Sequence, residues 1–350
     1  MSGGVDSSVA ALLMLERGFD CVGCTMVLWS GDSRCCSADD VEDARYAARR
    51  LGIPHYSFNM KDDFSREVVE PFAAEYLAGR TPNPCIRCNR EMKFKKLLER
   101  AELMGCSHIV TGHYARTEER DGRFILRRGR DESKDQSYVL YFLGQDELRR
   151  AAFPLGELTK PEVRAIAEEN GLLNARKPDS QDICFVPDGD YARFIEEQLG
   201  RTAEPGDFVD RDGRVLGRHR GIIRYTVGQH RGLGLSLPEA MYVCAVDAGS
   251  NRVVLGRQED LFRREVQVRD FSWVSGESPD GAIRCTAKLR YAHRPQPAWA
   301  EPAGDRVLLT FDEPQRAATP GQAAVLYDGD EVLGGGTIES HSTGKGDESI

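Results

Sequence analysis

The amino-terminal glycine turn restricts the fold of this chain more than any other segment. Ser2–Ser8 has the sequence Ser-Gly-Gly-Val-Asp-Ser-Ser and runs directly into the apolar stretch Val9–Leu15. Glycines let a backbone approach an anion closely, and the N–H groups and dipole of a helix N-terminus hold it there. The turn lacks the lysine of a Walker A motif, so it is not the usual P-loop. It predicts a phosphate site, with an ordinary capped helix as the alternative.

Helical and extended patterns alternate through the first half of the chain, which predicts a parallel sheet covered by helices. A hairpin that turns at Asp121-Gly122 is expected to extend this sheet. A capping box, Thr159–Glu162, precedes a helix at Glu162–Asn170. The other predicted helices are Ser7–Arg17, Ala38–Leu51 with Ser37 as its cap, Phe64–Leu77 and Phe94–Met104, and the predicted strands are Cys21–Leu28, His55–Asn59 and His108–Thr111.

Beyond Leu199 the pattern changes to short strands separated by turn dipeptides. We therefore expect an α/β domain with a parallel sheet at 1–199, a small β-rich central domain at 200–261 and a closed β-barrel domain at 262–350. In nucleotide-binding sheets the phosphate loop follows a buried central strand. Here the turn starts at Met1 itself, so an apolar strand is expected upstream of these residues.

The sequence argues against a membrane-spanning protein, a secreted protein and an unselective nucleic-acid-binding protein. The longest apolar runs, such as Val9–Leu15, are far shorter than the ~20 residues that a membrane span needs. The first residues do not resemble a secretion signal, so we expect a cytosolic protein with reduced thiols. A net charge of −9 argues against unselective nucleic-acid binding, which depends on Lys and Arg.

Two basic runs still offer local phosphate-binding surfaces, although both could be ordinary solvated faces. The first run is Arg80, Arg87, Arg90, Lys93, Lys95 and Lys96, and the second is Arg211, Arg214, Arg218, Arg220, Arg224 and Arg231.

The chain has ten cysteines, for which catalysis, metal binding and burial are the open interpretations. Cys85 and Cys88 form a CxxC on a proline-stiffened loop among arginines, surroundings that favour the thiolate. A lone cysteine such as Cys184 is more often a small buried residue. A zinc site at the CxxC needs two more ligands, and the adjacent pair Cys35-Cys36 would chelate poorly. Packing roles are expected for Cys21, Cys24, Cys106, Cys244 and Cys285.

Seven motifs together resemble the tRNA-specific 2-thiouridylases, a family of PP-loop ATP pyrophosphatases, in the family's order and across nearly the whole chain. The motifs are Ser2–Ser8, Thr81–Arg90, Thr111–Tyr114, Lys134–Tyr138, Ser180–Phe185, Gly228–Gly234 and Thr319–Gln322.

The resemblance implies that ATP adenylates the C2 oxygen of the wobble uridine in a tRNA anticodon, with Mg²⁺ near Asp6. A persulfide donor, either a cysteine desulfurase or a relay protein, would load sulfur onto Cys184, and Cys88 would then attack Cys184 to release the product. The implied ATP contacts are Met1, Ser2, Gly3, Gly4, Val5, Asp6, Ser7, Ser8, Met26 and Gly112. The implied tRNA contacts are Asn83, Pro84, Cys85, His113, Lys134, Asp135, Gln136, Arg290, Tyr291 and Gln322.

Several of these assignments depend on the motif context alone. Taken singly, His113 would be a satisfied histidine at a strand end, and Met26 and Tyr291 would be core residues. The segment Arg211–Arg231 is expected along the phosphate backbone of the tRNA, because Gly228–Gly234 is flexible and basic.

One position departs from the family. Cys85 stands where many members have Asp, so an acid–base role does not carry over to it. Cys85, Cys88 and Cys184 could instead hold a [4Fe–4S] cluster with one open iron position for hydrosulfide, which is the alternative mechanism. Two further alternatives are a small-molecule ligase or amidase of the same loop superfamily and a non-catalytic RNA-binding module.

Overall fold

The computed structural model describes residues 1–29, 38–177 and 183–339. Cys35, Cys36 and Ser37 lie outside the described residues, as do Ser180–Asp182 of one motif and the polar tail Ser340–Ile350. The zinc hypothesis for Cys35-Cys36 and the helix cap at Ser37 therefore stay predictions. No helix of the described part of the chain is long and apolar enough to cross a membrane.

The first region contains two parallel strand pairs with helices around them, as predicted. Its strands are β1 (Gly23–Val27), β2 (His55–Asn59), β3 (Ile109–Val110), β4 (Ala115–Arg120), β5 (Arg123–Arg128) and β6 (Ala151–Ala152). The pair β1–β2 aligns Gly23 with His55, and the pair β3–β6 aligns Ile109 with Ala151. Its α-helices are Val5–Glu16, Ala38–Arg50, Lys61–Phe64, Glu70–Leu77, Pro84–Arg87, Leu97–Leu103, Gln145–Arg150, Lys160–Glu169 and Tyr191–Leu199, and short 3-10 turns lie at Ser137–Val139 and Leu173–Arg176.

The segment with the CxxC is helical, and the prediction of a loop there is wrong. Pro84–Arg87 is α-helical, Cys88–Lys96 continues it with π-helical hydrogen bonding, and Leu97–Leu103 completes the helix. The Asn83 side chain caps this helix by accepting from the Cys85 N–H at 3.1 Å. Proline suits the first helical position because it needs no N–H there. Because Asn83-Pro84 provides these local signals, the helix begins ten residues before its predicted start at Phe94.

The hairpin β4–β5 turns at Asp121 and Gly122, which have φ values of 53° and 76°, as an Asp-Gly hairpin turn requires. The prediction of the sheet that this hairpin extends is wrong. The hairpin extends the carboxy-terminal barrel and not the parallel sheet of the first region. Asp330 of the barrel accepts from the guanidinium groups of Arg116 and Arg127, each at 2.6 Å. These charges hold a segment of the first region against the last one.

The second half consists of a four-stranded sheet followed by a barrel, as predicted. The sheet has the order β8-β7-β10-β9, and the six barrel strands follow the order β11-β14-β13-β12-β15-β16 and close through pairing of β11 with β16. The strands are β7 (Gly206–Val209), β8 (Val215–His219), β9 (Tyr242–Asp247), β10 (Arg252–Gly256), β11 (Phe262–Trp273), β12 (Ile283–Lys288), β13 (Gln296–Ala303), β14 (Arg306–Arg316), β15 (Ala323–Asp328) and β16 (Glu331–Ile338), with 3-10 turns at Ile222–Arg224 and Glu259–Leu261.

One hydrophobic cluster joins the first region to the central sheet. Phe64, Phe72 and Phe185 of the first region pack in the same cluster as Phe208 on β7. The ring of Phe185 lies 5.6 Å from that of Phe64 and 5.3 Å from that of Phe72. Removing a buried Phe side chain costs about 3–5 kcal/mol of unfolding free energy. Phe185 therefore anchors the backbone directly beside Cys184.

Candidate active site

The glycine turn has a shape that only glycine can take at Gly3. Its φ is +69°, and a Cβ there would lie 2.4 Å from the Asp40 carbonyl oxygen. The following helix begins at Val5, and its N-cap Gly4 brings no capping side chain. The uncapped first turn of a helix directs its N–H groups and dipole outward. The turn can therefore accept an anion, as the sequence predicts.

Serine hydroxyls brace the turn from inside. Ser7 and Ser8 each donate a hydroxyl to the Gly4 carbonyl at 3.1 Å. The Ser2 N–H donates to the Ser7 hydroxyl at 3.1 Å. Ser8 is fully buried, whereas Ser2 is exposed. The serines thus fix the backbone of the turn, and Ser2 and Ser7 lie on its open side.

Asp6 is held by two groups that are distant in the sequence. The Tyr114 hydroxyl donates to Asp6 Oδ1 at 2.9 Å, and the Lys160 ammonium donates to both carboxylate oxygens at 2.8 Å. The Lys160 side chain is 9% exposed and that of Asp6 is 32% exposed. The ammonium therefore supports the carboxylate from the buried side. Lys160 was not predicted as a site residue, although a phosphate turn without its own lysine should direct attention to lysines elsewhere.

Two other residues of the same region support the turn and were also missed. The Asn174 amide donates to the Gly3 carbonyl at 3.2 Å and to the Ser8 hydroxyl at 2.9 Å. Lys177 donates to Asp40 at 2.7 Å, directly behind Gly3. Burial opposes the Lys177 charge, but hydrogen bonds to Asp40 and Asp43 raise the pKa of Lys177 overall. No local motif distinguishes Asn174 or Lys177, because their role depends on tertiary contact alone.

The predicted ATP contacts Gly112 and Met26 belong to two segments that contact the turn. A Cβ on Gly112 would be 2.8 Å from the Asp6 carbonyl carbon and from the Ser7 nitrogen, so only glycine fits. The Thr25 hydroxyl donates to the Met1 carbonyl at 2.7 Å, which ties β1, and with it Met26, to the turn.

The two predicted catalytic cysteines share one hydrophobic cluster. Cys88, Cys184 and Met26 all pack against the cluster that contains Phe64, Phe72 and Phe185. Cys88 and Cys184 are each half-buried, and the next cysteine along the helix, Cys85, is exposed. Cys88 and Cys184, which are far apart in the sequence, therefore border the same hydrophobic cluster, as does Met26.

Among the described residues, no group of three or more His, Cys, Asp or Glu side chains is placed so that it could hold a metal ion. Cys85, Cys88 and Cys184 are thus not gathered as the three-thiolate set of an open-site [4Fe–4S] cluster in this structure. The cluster mechanism stays a hypothesis.

Other cysteines have surroundings that keep them as thiols. Burial, with a smaller contribution from Asp260, raises the pKa of Cys244 to about 11. Burial also raises the pKa of Cys285 to about 11 and raises the pKa of Cys24. A protonated thiol is a poor nucleophile. These environments agree with the packing roles expected for Cys24, Cys244 and Cys285.

The carboxy-terminal barrel holds the segment that leads to the CxxC. The Gln322 amide donates to the Thr81 carbonyl at 2.8 Å and lies 3.4 Å from the Pro82 carbonyl. The Thr81 N–H donates to the Pro320 carbonyl at 2.8 Å. The Thr81 hydroxyl also lies 3.1 Å from the hydroxyl of Thr226 in the central region. All three regions of the chain therefore meet at Thr81.

Several residues predicted to contact tRNA are engaged inside the protein. The buried Asp135 carboxylate accepts from the Gly129 N–H at 3.0 Å and from Ser137. The Gln136 amide oxygen accepts from the Tyr114 N–H at 3.0 Å. The Lys134 N–H donates to the Asp131 carbonyl at 3.0 Å. The motif Lys134–Tyr138 therefore helps to position Tyr114, which contacts Asp6.

His113 is buried. This agrees with the interpretation of His113, taken without its motif, as a histidine whose hydrogen bonds are satisfied. Its Nδ1 lies 2.8 Å from the Thr111 hydroxyl, and its Nε2 lies 3.5 Å from the Lys93 ammonium. Burial, and then the positive charge of Lys93, lowers the pKa of His113 well below its ordinary value. The imidazole is therefore neutral near pH 7.

Tyr291 and Arg290 lie at the junction of the barrel with the first region. Tyr291 is 43% exposed, and its hydroxyl donates to the Asp135 carbonyl at 3.1 Å. Burial, and then the charges of Asp135 and Cys85, raises the pKa of Tyr291. The Arg290 guanidinium donates to the Val227 carbonyl at 3.2 Å, so it links the barrel to the central region. Tyr291 is therefore partly open to a ligand.

Most of the second basic run is paired with carboxylates. Arg211, Arg214 and Arg218 form ion pairs with Asp260, Asp210 and Asp207, and Arg224 pairs with Glu196 at 2.7 Å. Arg220 and Arg231 are exposed. If this run contacts a phosphate backbone, Arg220 and Arg231 are its best-placed members.

Comparisons with known proteins give the same order of domains. Three family models match successive parts of the chain: the tRNA methyl transferase HUP domain over residues 1–188, the tRNA methyl transferase PRC-barrel domain over 192–257 and the aminomethyltransferase beta-barrel domain over 263–338. They confirm an α/β domain followed by two β domains. The boundaries predicted at 199 and 261 stay a prediction.

Curated relatives match over almost their full length. A protein of Moorella thermoacetica is 50% identical over 97% of this chain and 98% of its own, and one of Carboxydothermus hydrogenoformans is 49% identical over 97% and 96%. A protein of Clostridium perfringens is 46% identical over 97% of each chain. All three are named tRNA-specific 2-thiouridylase MnmA. The chain therefore belongs to the tRNA-specific 2-thiouridylase family.

Proposed function

We propose that the protein uses ATP to replace the C2 oxygen of the wobble uridine in tRNA anticodons with sulfur. The observation that carries the proposal is the packing of Met26, Cys88 and Cys184 against one cluster, together with the bond from Thr25, the neighbour of Met26, to Met1 at the start of the glycine turn. A nucleotide held at the turn and sulfur held on a thiol of that cluster would reach the same nucleobase. Family membership supplies the substrate class.

The chemistry explains why a phosphate turn and thiols are needed together. The C2 carbonyl of uridine is urea-like, and oxide is not a leaving group at neutral pH. Attack of the C2 oxygen on the α-phosphorus of ATP forms a C2–O–AMP bond and releases pyrophosphate. The turn Ser2–Ser8 would hold the phosphates through its first-turn N–H groups. Activation therefore converts the C2 oxygen into part of AMP.

Sulfur transfer then follows from two thiols. A persulfide on Cys184 attacks C2 through its outer sulfur, and AMP leaves with the original oxygen. The Cys88 thiolate attacks Sγ of Cys184, which breaks the bond to the outer sulfur and leaves 2-thiouridine and a Cys88–Cys184 disulfide. A thiol reductant restores both cysteines. The persulfide comes from a donor protein, a cysteine desulfurase or a sulfur relay protein.

Asp6 fits a supporting role for Mg²⁺. Magnesium in nucleotide sites is held by one or two carboxylates together with phosphate oxygens, and Asp6 supplies a carboxylate at the turn. When bound there, the ion would neutralise charge on the departing pyrophosphate.

The uridine must leave the anticodon stack to expose C2. We propose that Asn83, Cys85 and Tyr291 receive the extruded base, because both Cys85 and Tyr291 are exposed. We propose that Arg220 and Arg231 approach the tRNA backbone. The cytosol is the proposed compartment, since this thiol chemistry needs a reducing environment.

The proposal is tested by incubating the protein with ATP, Mg²⁺, a persulfide donor, a thiol reductant and unmodified tRNA, followed by nucleoside analysis. The wild-type chain should form 2-thiouridine, whereas Cys184→Ser and Cys88→Ser should not. Cys244→Ser is the matched control, because burial keeps that thiol protonated. ATP turnover that survives Cys184→Ser, with no 2-thiouridine formed by the wild-type chain, would favour a small-molecule ligase or amidase, and no tRNA-stimulated pyrophosphate release would favour a non-catalytic RNA-binding module.

A further inference from the structure

Lys160 is a buried lysine whose charge is directed at one group. It is the first residue of the helix Lys160–Glu169, and its ammonium lies 2.8 Å from both oxygens of Asp6. The Lys160 side chain is only 9% exposed. Lysine is almost never buried to this degree unless it is paired. The pair with Asp6 therefore accounts for the burial of the Lys160 charge.

The backbone of Lys160 is fixed without help from Asp6. Its N–H donates to Asp131 Oδ2 at 3.0 Å. Glu162 accepts from the N–H of Thr159 at 2.6 Å and so caps the same helix start. Pro161 stiffens the first turn. Lys160 is thus the fixed support in this pair, and Asp6 is the group that it holds.

Tyr114 adds a second constraint on Asp6. Its hydroxyl donates to Oδ1 at 2.9 Å, and the Lys160 ammonium lies 5.9 Å from the centre of the Tyr114 ring. With both oxygens engaged, the Asp6 carboxylate is restricted in orientation, and about a third of the side chain stays exposed, at 32%.

The Lys160–Asp6 pair also reduces electrostatic repulsion between Asp6 and a bound polyphosphate. A polyphosphate that approaches the turn meets the Asp6 carboxylate at close range, and like charges at such distances repel by several kcal/mol when they are partly shielded from water. A lysine charge 2.8 Å from that carboxylate cancels most of its field. The turn itself contains no lysine, so Lys160 supplies the cation from a segment more than 150 residues away.

We propose that Lys160 is a positioning residue for ATP, which orients Asp6 and neutralises its charge so that the phosphates can reach the glycine turn. The proposal rests on the proposed function, because it concerns the ATP step of that reaction. It predicts that metal-free nucleotide depends on Lys160 more than metal-bound nucleotide does, since a magnesium ion at Asp6 also offsets the carboxylate charge.

The test measures binding of α,β-methylene-ATP, which the enzyme cannot cleave, by calorimetry with either excess EDTA or Mg²⁺. Lys160→Met keeps the side-chain length and removes the charge. In EDTA it should bind at least about tenfold more weakly than the wild-type chain, which is the size of one charge-assisted hydrogen bond. With Mg²⁺ the loss should be smaller. Adding Asp6→Asn to Lys160→Met should restore metal-free binding, and Lys160→Arg should retain most of it.

A matched control removes an ion pair far from the turn. Arg284 and Asp312 of the barrel form a two-point pair at 2.7 Å, and Arg284→Met with and without Asp312→Asn should leave nucleotide binding unchanged. Thermal unfolding of every variant shows whether it is folded.

Each outcome bears on the proposal. Unchanged metal-free affinity in Lys160→Met would overturn it. Weaker binding that Asp6→Asn fails to restore would also overturn it, because Lys160 would then not act through Asp6. A wild-type chain that binds no nucleotide under either condition would overturn the proposed function together with this inference.

Discussion

Gln322 on the barrel donates its side-chain amide to the carbonyl of Thr81 at 2.8 Å, although the two residues are 241 positions apart. Thr81 precedes the helix that carries Cys85 and Cys88. The barrel thus holds the start of the helix on which the thiol chemistry depends. Gln322 has a structural task that does not require contact with the tRNA.

Gln322→Ala should therefore lower kcat of thiolation more than it raises KM for tRNA. A displacement of about 1 Å at reacting groups can cost about a hundredfold in rate. Single-turnover thiolation and tRNA binding measured on the same variant separate the two effects. A raised KM with kcat intact would show that Gln322 acts mainly as a tRNA contact.

Gly321→Ala tests the same junction through the backbone. Gly321 has a φ of +89°, and a Cβ would lie 2.9 Å from the Thr81 nitrogen. Gly329 has a φ of +59° with open space around its Cβ position, so Gly329→Ala is the control for backbone strain alone. Both substitutions should cost about 1–2 kcal/mol of unfolding free energy from the left-handed conformation. Only Gly321→Ala should also reduce thiolation, and equal activity in the two variants would contradict the role of the junction.

Stability should fall on acidification partly through His113. Its pKa is lowered in the folded state by burial and by Lys93, so the unfolded chain binds the proton first as the pH falls. The contribution is complete above the unfolded-state pKa of about 6.5 and is lost below it, at up to about 1.4 kcal/mol per pH unit. Denaturant unfolding at pH 7.5 and 5.5 measures the loss, which His113→Gln should reduce and His230→Gln, at an exposed position, should not. Equal pH dependence in the wild type and His113→Gln would show that His113 does not cause it.

The tRNA contact predicted for the second basic run now concerns two arginines. The double variant Arg220→Glu with Arg231→Glu should weaken tRNA binding and lower the slope of log affinity against log salt concentration by about one for each lost phosphate contact. Arg284→Glu on the barrel is the single-charge control. Unchanged affinity of the double variant at every salt concentration would refute the assignment.

Thiolation should not require iron. Protein purified without oxygen should contain neither stoichiometric iron nor acid-labile sulfide, and it should still thiolate tRNA when a persulfide donor is present. Cys85→Asp, which removes this thiol and introduces the residue expected from the family resemblance, should keep this activity. Activity that rises and falls with iron content would restore the cluster mechanism.

Signals confined to a few neighbouring residues predicted their structures well. The Asp121-Gly122 turn and the Thr159–Glu162 cap form as expected, because each depends on local backbone geometry and one side-chain contact. The prediction of a loop at the CxxC was wrong. Asn83-Pro84 is only a weak helix start, and the prolines around it also favour a loop.

Relationships between distant segments could not be obtained from patterns along the chain. The contact of Lys160 with Asp6, the pairing of Asp330 with Arg116 and the bond from Gln322 to Thr81 each join residues more than 150 positions apart. Hydrophobic periodicity specifies which face of an element is buried, but not which other element covers it. The family resemblance identified the motifs, whereas only the folded chain revealed how they support one another.

The oxygen that leaves uridine can be followed directly. tRNA with ¹⁸O at C2 of the wobble uridine is incubated with ATP, Mg²⁺ and the protein carrying a Cys184 persulfide, and the AMP formed is analysed by mass spectrometry. Adenylation of the C2 oxygen should place one ¹⁸O atom in AMP for each 2-thiouridine formed. AMP without ¹⁸O, alongside thiolated tRNA, would contradict activation of the C2 oxygen by adenylation.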